Sequence, residues 1–174
     1  MPNPRKSFSK IYDKYIDKIY RFIFLKVNSQ EITEDLSSET FLRGWEAFKR
    51  SQSPNPKNPK IENIQAFLYQ IARNLVIDYY REKGHTKVIS AEYALKVADP
   101  RVNLEKEAIL NSDLDTVRQA LVNLKENYQD VIIWRYLDEL SIAEIAQIVD
   151  KSEGTVRVML HRALNALKNE LKLV

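Results

Sequence analysis

LSIAEIAQIVDKSEGTVRVMLHRALNALK, residues 140–168, is the stretch whose reading decides the fold. Ser141 stands three residues before Glu144, the spacing at which a hydroxyl and a carboxylate satisfy each other's orphan backbone donors at a helix start. Ile142, Ile145, Ala146 and Val149 then recur at helical intervals and bury one face. The polar turn Asp150-Lys151-Ser152 ends that helix, and Ser152 is placed to cap another. In this second helix Val156, Leu160, Ala163, Leu164, Leu167 and Leu171 form an apolar stripe that docks it on the first. Two short amphipathic helices and one tight turn make a helix-turn-helix.

The opposite face of the second helix carries the functional content. Thr155, Val158, His161, Arg162 and Asn165 point away from the stripe, with Arg157 and Lys168 at its flank. A basic helix face alone is an ordinary solvated surface, and it is the capped, turn-broken pair that turns the reading toward DNA. Gly154 lets a partner approach the backbone closely, and the helix N-terminus favours a phosphate.

Upstream of this motif, Ile109, Leu114, Val117, Leu121 and Leu124 form one helical stripe, expected to pack against the run Val131, Ile132, Trp134, Tyr136, Leu137. Between Glu82 and Leu104 the periodicity fails and Gly84 and Pro100 appear, which reads as a flexible linker. At the other end of the chain, Phe8, Tyr12, Tyr15, Ile19, Phe22 and Ile23 predict one long amphipathic helix over 8–27 with its aromatic stripe in the core. After the polar break Asn28-Ser29 a second helix is expected over 30–49, with Phe41, Trp45 and Phe48 inward. Its other side mixes Ile32 and Leu36 with Asp35, Glu39, Arg43 and Glu46, a face suited to a protein partner. Residues 51–63, SQSPNPKNPKIEN, hold three of the six prolines and form a basic loop through Lys57 and Lys60. In the helix that follows, Ile64, Phe67, Leu68, Ile71, Ala72, Leu75 and Tyr79 cover a broad apolar face, leaving the stripe Gln70, Arg73, Asn74, Ile77 and Arg81. Tyr69 and Tyr80 suit either base stacking or the core. The fold class is all-α: two small helical domains, residues 1–84 and 105–174, joined by a flexible linker at 85–104.

Composition narrows the function. The chain has 174 residues, 27 Lys plus Arg against 24 Asp plus Glu, and no cysteine. Disulfides and thiolate metal sites are therefore excluded, and the net charge of +3 is too modest to announce nucleic acid by itself. Lys26 interrupts the one apolar run near the N-terminus, so no membrane insertion is expected and a soluble, cytoplasmic protein is. His85 falls in the linker and His161 on the outward face, neither beside a carboxylate motif, and no Gly-rich phosphate loop exists. Enzymatic chemistry, a cofactor and a metal thus find no support.

Three stretches carry a family resemblance. YQDVIIWRYLDELSIAEIAQIVDKSEGTVRVMLHRALNALK resembles region four of bacterial RNA polymerase sigma factors of the sigma-70 family, usually worded "VIxLRYxxGLSxxEIAxxLGxSxGTVxSRLHRALxxLR". Asp150 and Glu139 stand where that pattern has Gly, Lys125 where Pro is common, and Val158-Met159 where it has Ser-Arg. DLSSETFLRGWEAF resembles region 2.2, "DLxQETFLRAWRAF", with Ser38 in place of Gln. IQAFLYQIARNLVIDYYR resembles regions 2.3 to 2.4, "AWLYRIARNLAIDYLRR". With no room for a third globular module, the resemblance points to the extracytoplasmic-function (ECF) type.

The resemblance implies a role for each face. Gly154, Thr155, Arg157, Val158, His161, Arg162 and Asn165 would read the upstream, minus-thirty-five promoter element. The loop with Lys57 and Lys60 and the stripe with Gln70, Arg73, Asn74 and Arg81 would hold the opened minus-ten element, Asn74 beside a flipped base and Arg73, Arg81 and Lys83 on phosphates. Asp35, Leu36, Glu39 and Arg43 would grip core RNA polymerase at the clamp of its largest subunit, with the flap of the second subunit as a further contact. Promoter DNA and an anti-sigma protein complete the expected partners. A stand-alone helix-turn-helix repressor with an N-terminal dimerisation domain explains the last third equally well, but predicts a symmetric operator and leaves the region-2-like stretches without a role.

Overall fold

In a computed structural model of the chain, residues 2–83, 116, 117 and 119–172 are described; the expected linker and the stripe positions Ile109 and Leu114 lie outside them. The described residues form helices and connecting turns, as the all-α reading requires. The N-terminal half is three helices: α1 Pro4–Val27, α2 Gln30–Ser51 and α3 Ile64–Lys83. Asn3 caps α1 by accepting the Arg5 N–H at 3.0 Å, with Pro4 at the first helical position where no N–H is needed. Asn28 ends it in the left-handed conformation, φ 51°, and Ser29 immediately caps α2. The Asn28-Ser29 break is thus a stop signal and a start signal in consecutive residues. Gly44 lets α2 and α3 approach closely, since a Cβ there would lie 2.7 Å from a Leu68 methyl.

The C-terminal half holds α4 Glu126–Ile132, which continues into a π-helical turn at Ile133–Leu137, then α5 Ile142–Val149 and α6 Glu153–Lys172. The π turn overturns one expectation. By widening the helix it swings Tyr136 and Leu137 outward to 54% and 46% exposure, so only Val131, Ile132 and Trp134 of that run reach the interior. Tyr12 departs from the buried aromatic stripe in the same sense. It is 43% exposed and only its ring edge packs on Phe41, at 4.8 Å between centroids.

The buried residues of the two helical halves form one continuous cluster. Trp134, fully buried, joins them. Its ring stacks on Phe22 of α1 at 5.6 Å and meets Tyr69 of α3 edge-on at 5.9 Å. Around these rings runs an ionic network that crosses between the halves. Lys26, only 4% exposed, pairs with the Asp130 carboxylate and donates to Gln129 Oε1 at 3.3 Å. Asp138, 2% exposed, receives Arg21 and, at 2.6 Å, the Tyr69 hydroxyl. Burial and then the Asp138 carboxylate push the Tyr69 phenol far above its ordinary range, so it remains a protonated donor.

Candidate nucleic-acid interface

The helix-turn-helix forms as its sequence dictates. Ser141 Oγ accepts the Glu144 N–H at 3.1 Å while Glu144 accepts the Ser141 N–H at 2.9 Å, a complete capping box. Asp150 closes α5 in the left-handed region, φ 54°, the conformation that glycine adopts at no steric cost. Ser152 Oγ then accepts the Thr155 N–H at 3.1 Å and starts α6. Glu139 also has a positive φ, 56°, at the second position where the family pattern has glycine. Both departures retain the glycine's backbone geometry with a residue that is strained by it.

On α6, Val156, Leu160 and Ala163 are buried, which fixes the helix rotation. Gly154, Thr155, Arg157, Val158, His161, Arg162 and Asn165 are all exposed on one continuous face. His161 and Asn165 lie within 3.3 Å of each other, and Arg157 reaches Glu153 at 3.4 Å. Val158, 47% exposed, sits among these polar groups as an unusually bare aliphatic contact.

The second group of candidate residues is divided by the structure. Lys57 and Lys60 are exposed on the loop that follows α2, whose turn is held by Asn55 Oδ1 accepting the Lys57 N–H at 3.0 Å. Beneath the loop is an open cavity of about 700 Å³, lined by Arg50, Lys60, Asn63, Phe67 and Gln70 and walled on its far side by Gln147 and Asp150. Asn74 and Arg81 face solvent. Gln70 and Arg73 do not, because both are engaged by the C-terminal half. Tyr69, one of the two stacking candidates, is a core residue; the Tyr80 hydroxyl donates to the Lys26 carbonyl.

On α2, Asp35 and Arg43 are exposed, and Arg43 Nε lies 2.6 Å from Glu39 one turn away. Leu36 is half-buried against the core. The most exposed apolar side chain of α2 is one that sequence reasoning missed, Leu42 at 52% exposure beside Arg43. A leucine between inward Phe41 and outward Arg43 was the available signal.

Comparison with known proteins decides the family. The model for "Sigma-70 region 2" matches residues 11–86 and that for "Sigma-70, region 4" matches residues 114–167. The ECF RNA polymerase sigma factor SigW of Bacillus subtilis is 32% identical over 176 residues, covering 95% of this chain and 89% of SigW. This chain is an ECF sigma factor of the sigma-70 family. The RNA polymerase sigma factor YlaC of Bacillus subtilis, 30% identical, covers 96% of this ECF sigma factor and 93% of its own length. The fold agrees with that of the sigma factor RpoE solved with the anti-sigma factor NepR from Bartonella quintana, with a TM-score of 0.69 at 21% identity over 96% of this chain and 98% of that one. CnrH, solved with the cytosolic domain of CnrY, gives a TM-score of 0.61 at 17% identity over 97% and 90%. Kinship along nearly the whole sigma chain supports the initiation reading over the repressor. No helix among the described residues is long and apolar enough to cross a membrane.

Proposed function

We propose that this ECF sigma factor binds core RNA polymerase through α2, reads the minus-thirty-five element with α6 and holds the opened minus-ten strand on α3 and the loop before it. The observation that carries the reading is one chain presenting an exposed helix-turn-helix face and, on a separate helix, the mixed apolar and charged face around Leu36, Leu42 and Arg43. A repressor needs the first; only a polymerase subunit needs both. Residues 1–84 form the region 2 domain and 105–174 the region 4 domain. The chain performs no chemistry of its own, since strand synthesis belongs to the polymerase, and it works in the cytoplasm where promoters are.

On the upstream element, Arg157 and Arg162 reach phosphate or a guanine edge, while Val158 meets a thymine methyl, the one apolar group in the major groove. On the downstream element, the cavity beneath the basic loop, lined by Gln70 one helical turn before Asn74, takes the flipped base, and Arg81 holds the strand. An anti-sigma protein competes for these same faces.

Polymerase binding is tested on the full chain. Leu36→Ala with Arg43→Glu is expected to weaken affinity for core polymerase by roughly 10- to 100-fold, the loss of a small apolar anchor and one complementary charge. The thermal midpoint should fall by only a few degrees, because Arg43 is exposed and Leu36 is only partly buried where it packs against the core. Unaltered core affinity in that variant would remove α2 from the polymerase interface.

A further inference from the structure

Away from the residues assigned to DNA and polymerase, α1 and α2 frame a groove of about 330 Å³. Tyr12, Ile16 and Tyr20 recur every fourth residue along α1 and supply one wall, and Phe41, Ser37 and Glu34 of α2 line the other. Tyr12, 43% exposed, meets Phe41 at 4.8 Å between ring centroids at one end. Two polar groups in this lining lack the partner their chemistry calls for. Ser37 is 4% exposed, yet its hydroxyl has no hydrogen-bond partner among the described residues. The buried hydroxyls one turn to either side behave differently: Thr33 donates to the Ser29 carbonyl at 2.6 Å and Thr40 to the Leu36 carbonyl at 2.7 Å. Glu34 is the one charged residue of the lining, and among the described residues its carboxylate forms no ion pair, accepting instead from the neutral Gln30 amide at 3.0 Å.

We propose that this groove is a binding site for a small organic amine, with its ammonium at Glu34 and Ser37 and its aromatic or branched apolar body between the two helices. Charge sets the sign of the ligand. A lining with one carboxylate and no cation attracts an ammonium and repels an anion. The tyrosine and phenylalanine rings favour the same choice, because an aromatic ring attracts a cation that has shed part of its water. Glu34 and Ser37 stand three residues apart and are neighbours on one helix face, so a single ammonium can donate to the carboxylate and to the serine oxygen together. The buried hydroxyl thereby gains the partner it lacks. Size sets the upper limit: the groove holds about ten non-hydrogen atoms at roughly 30 Å³ each, enough for a phenylalkyl amine and too few for a nucleotide.

The full chain, titrated with phenethylammonium and with isopentylammonium at low salt and followed by ligand-observed NMR, is expected to bind at least one of them saturably with a Kd below about 10 mM. Phenylacetate has a similar shape and the opposite charge, and should bind at least roughly tenfold more weakly. Glu34→Gln keeps the shape and removes the charge, which should weaken the amine at least roughly fivefold. Ser37→Ala should weaken it roughly two- to fivefold while leaving the thermal midpoint at or above that of the parent, because the hydroxyl has no partner in the free chain to lose. Absence of saturable binding by both amines overturns the proposal. So does phenylacetate binding as tightly as the amines, or amine binding that survives both substitutions unchanged.

Discussion

Trp134→Ala is expected to cost the chain about 3–5 kcal/mol, the usual loss when a large aromatic is deleted from a closed core. The site has no means of collapsing cheaply. Trp134 is fully buried, stacked on Phe22 and set edge-on to Tyr69, so its removal leaves rings from two other helices facing a void. For a chain of this size the thermal midpoint should fall by roughly 6–20 °C. The effect should also change the shape of unfolding, because Trp134 joins the two halves into one cluster. A single cooperative transition in the parent should separate into two in the variant, with the remaining tryptophan, Trp45, reporting the N-terminal half. Trp134→Phe supplies the control. The indole N–H has no hydrogen-bond partner among the described residues, so phenylalanine keeps much of the packing and discards a buried donor without an acceptor. Calorimetry showing an unshifted midpoint for Trp134→Ala would mean that the two halves do not share a core.

Asp130→Ala should be comparably severe for a different reason, destabilising the chain by about 3–5 kcal/mol because it leaves a buried cation without its counter-ion. Lys26 is the residue at risk. Its side chain is 3% exposed and its remaining acceptor is the neutral Gln129 Oε1 at 3.3 Å, whereas Arg73, 32% exposed, can turn to solvent. Removing both charges together, Lys26→Met with Asp130→Leu, should recover most of the loss, since an apolar pair no longer has to be desolvated as ions. Chemical denaturation of the parent, the two single variants and the double variant measures the coupling directly. Additive losses would show that Lys26 and Asp130 do not depend on each other.

The helix-turn-helix was legible because its information is local. Ser141, Glu144 and Ser152 act within one turn of themselves, and the α5 and α6 stripes need only a period to be read. The Asn28-Ser29 break between α1 and α2 was legible for the same reason, whereas the Asn3 cap, which starts α1 at Pro4 and not at the expected residue 8, was not read. What sequence pattern did not disclose lies between segments far apart in the chain. Lys26 registered only as a break in an apolar run, yet it sits within the six consecutive buried residues Phe22–Val27, and its partner Asp130 is 104 positions on. A charge inside a run buried all round, matched by acidic residues flanking the apolar VIIW segment, was the available signal. The outward turn of Tyr136 and Leu137 was illegible because a helical period assumes regular winding, and the π turn at Ile133–Leu137 breaks it. The DNA-facing roles of Gln70 and Arg73 came from resemblance alone, and in this arrangement other partners hold both side chains.

The central claim is that one chain directs polymerase to promoters through two separate DNA-reading faces. Run-off transcription with core polymerase across a promoter library tests it most directly. The account predicts transcripts that require the added protein and start downstream of a two-part, asymmetric motif whose parts lie about 25 base pairs apart along the duplex. Transcription no higher than core polymerase alone, or a selected motif that is a single symmetric operator, would contradict it.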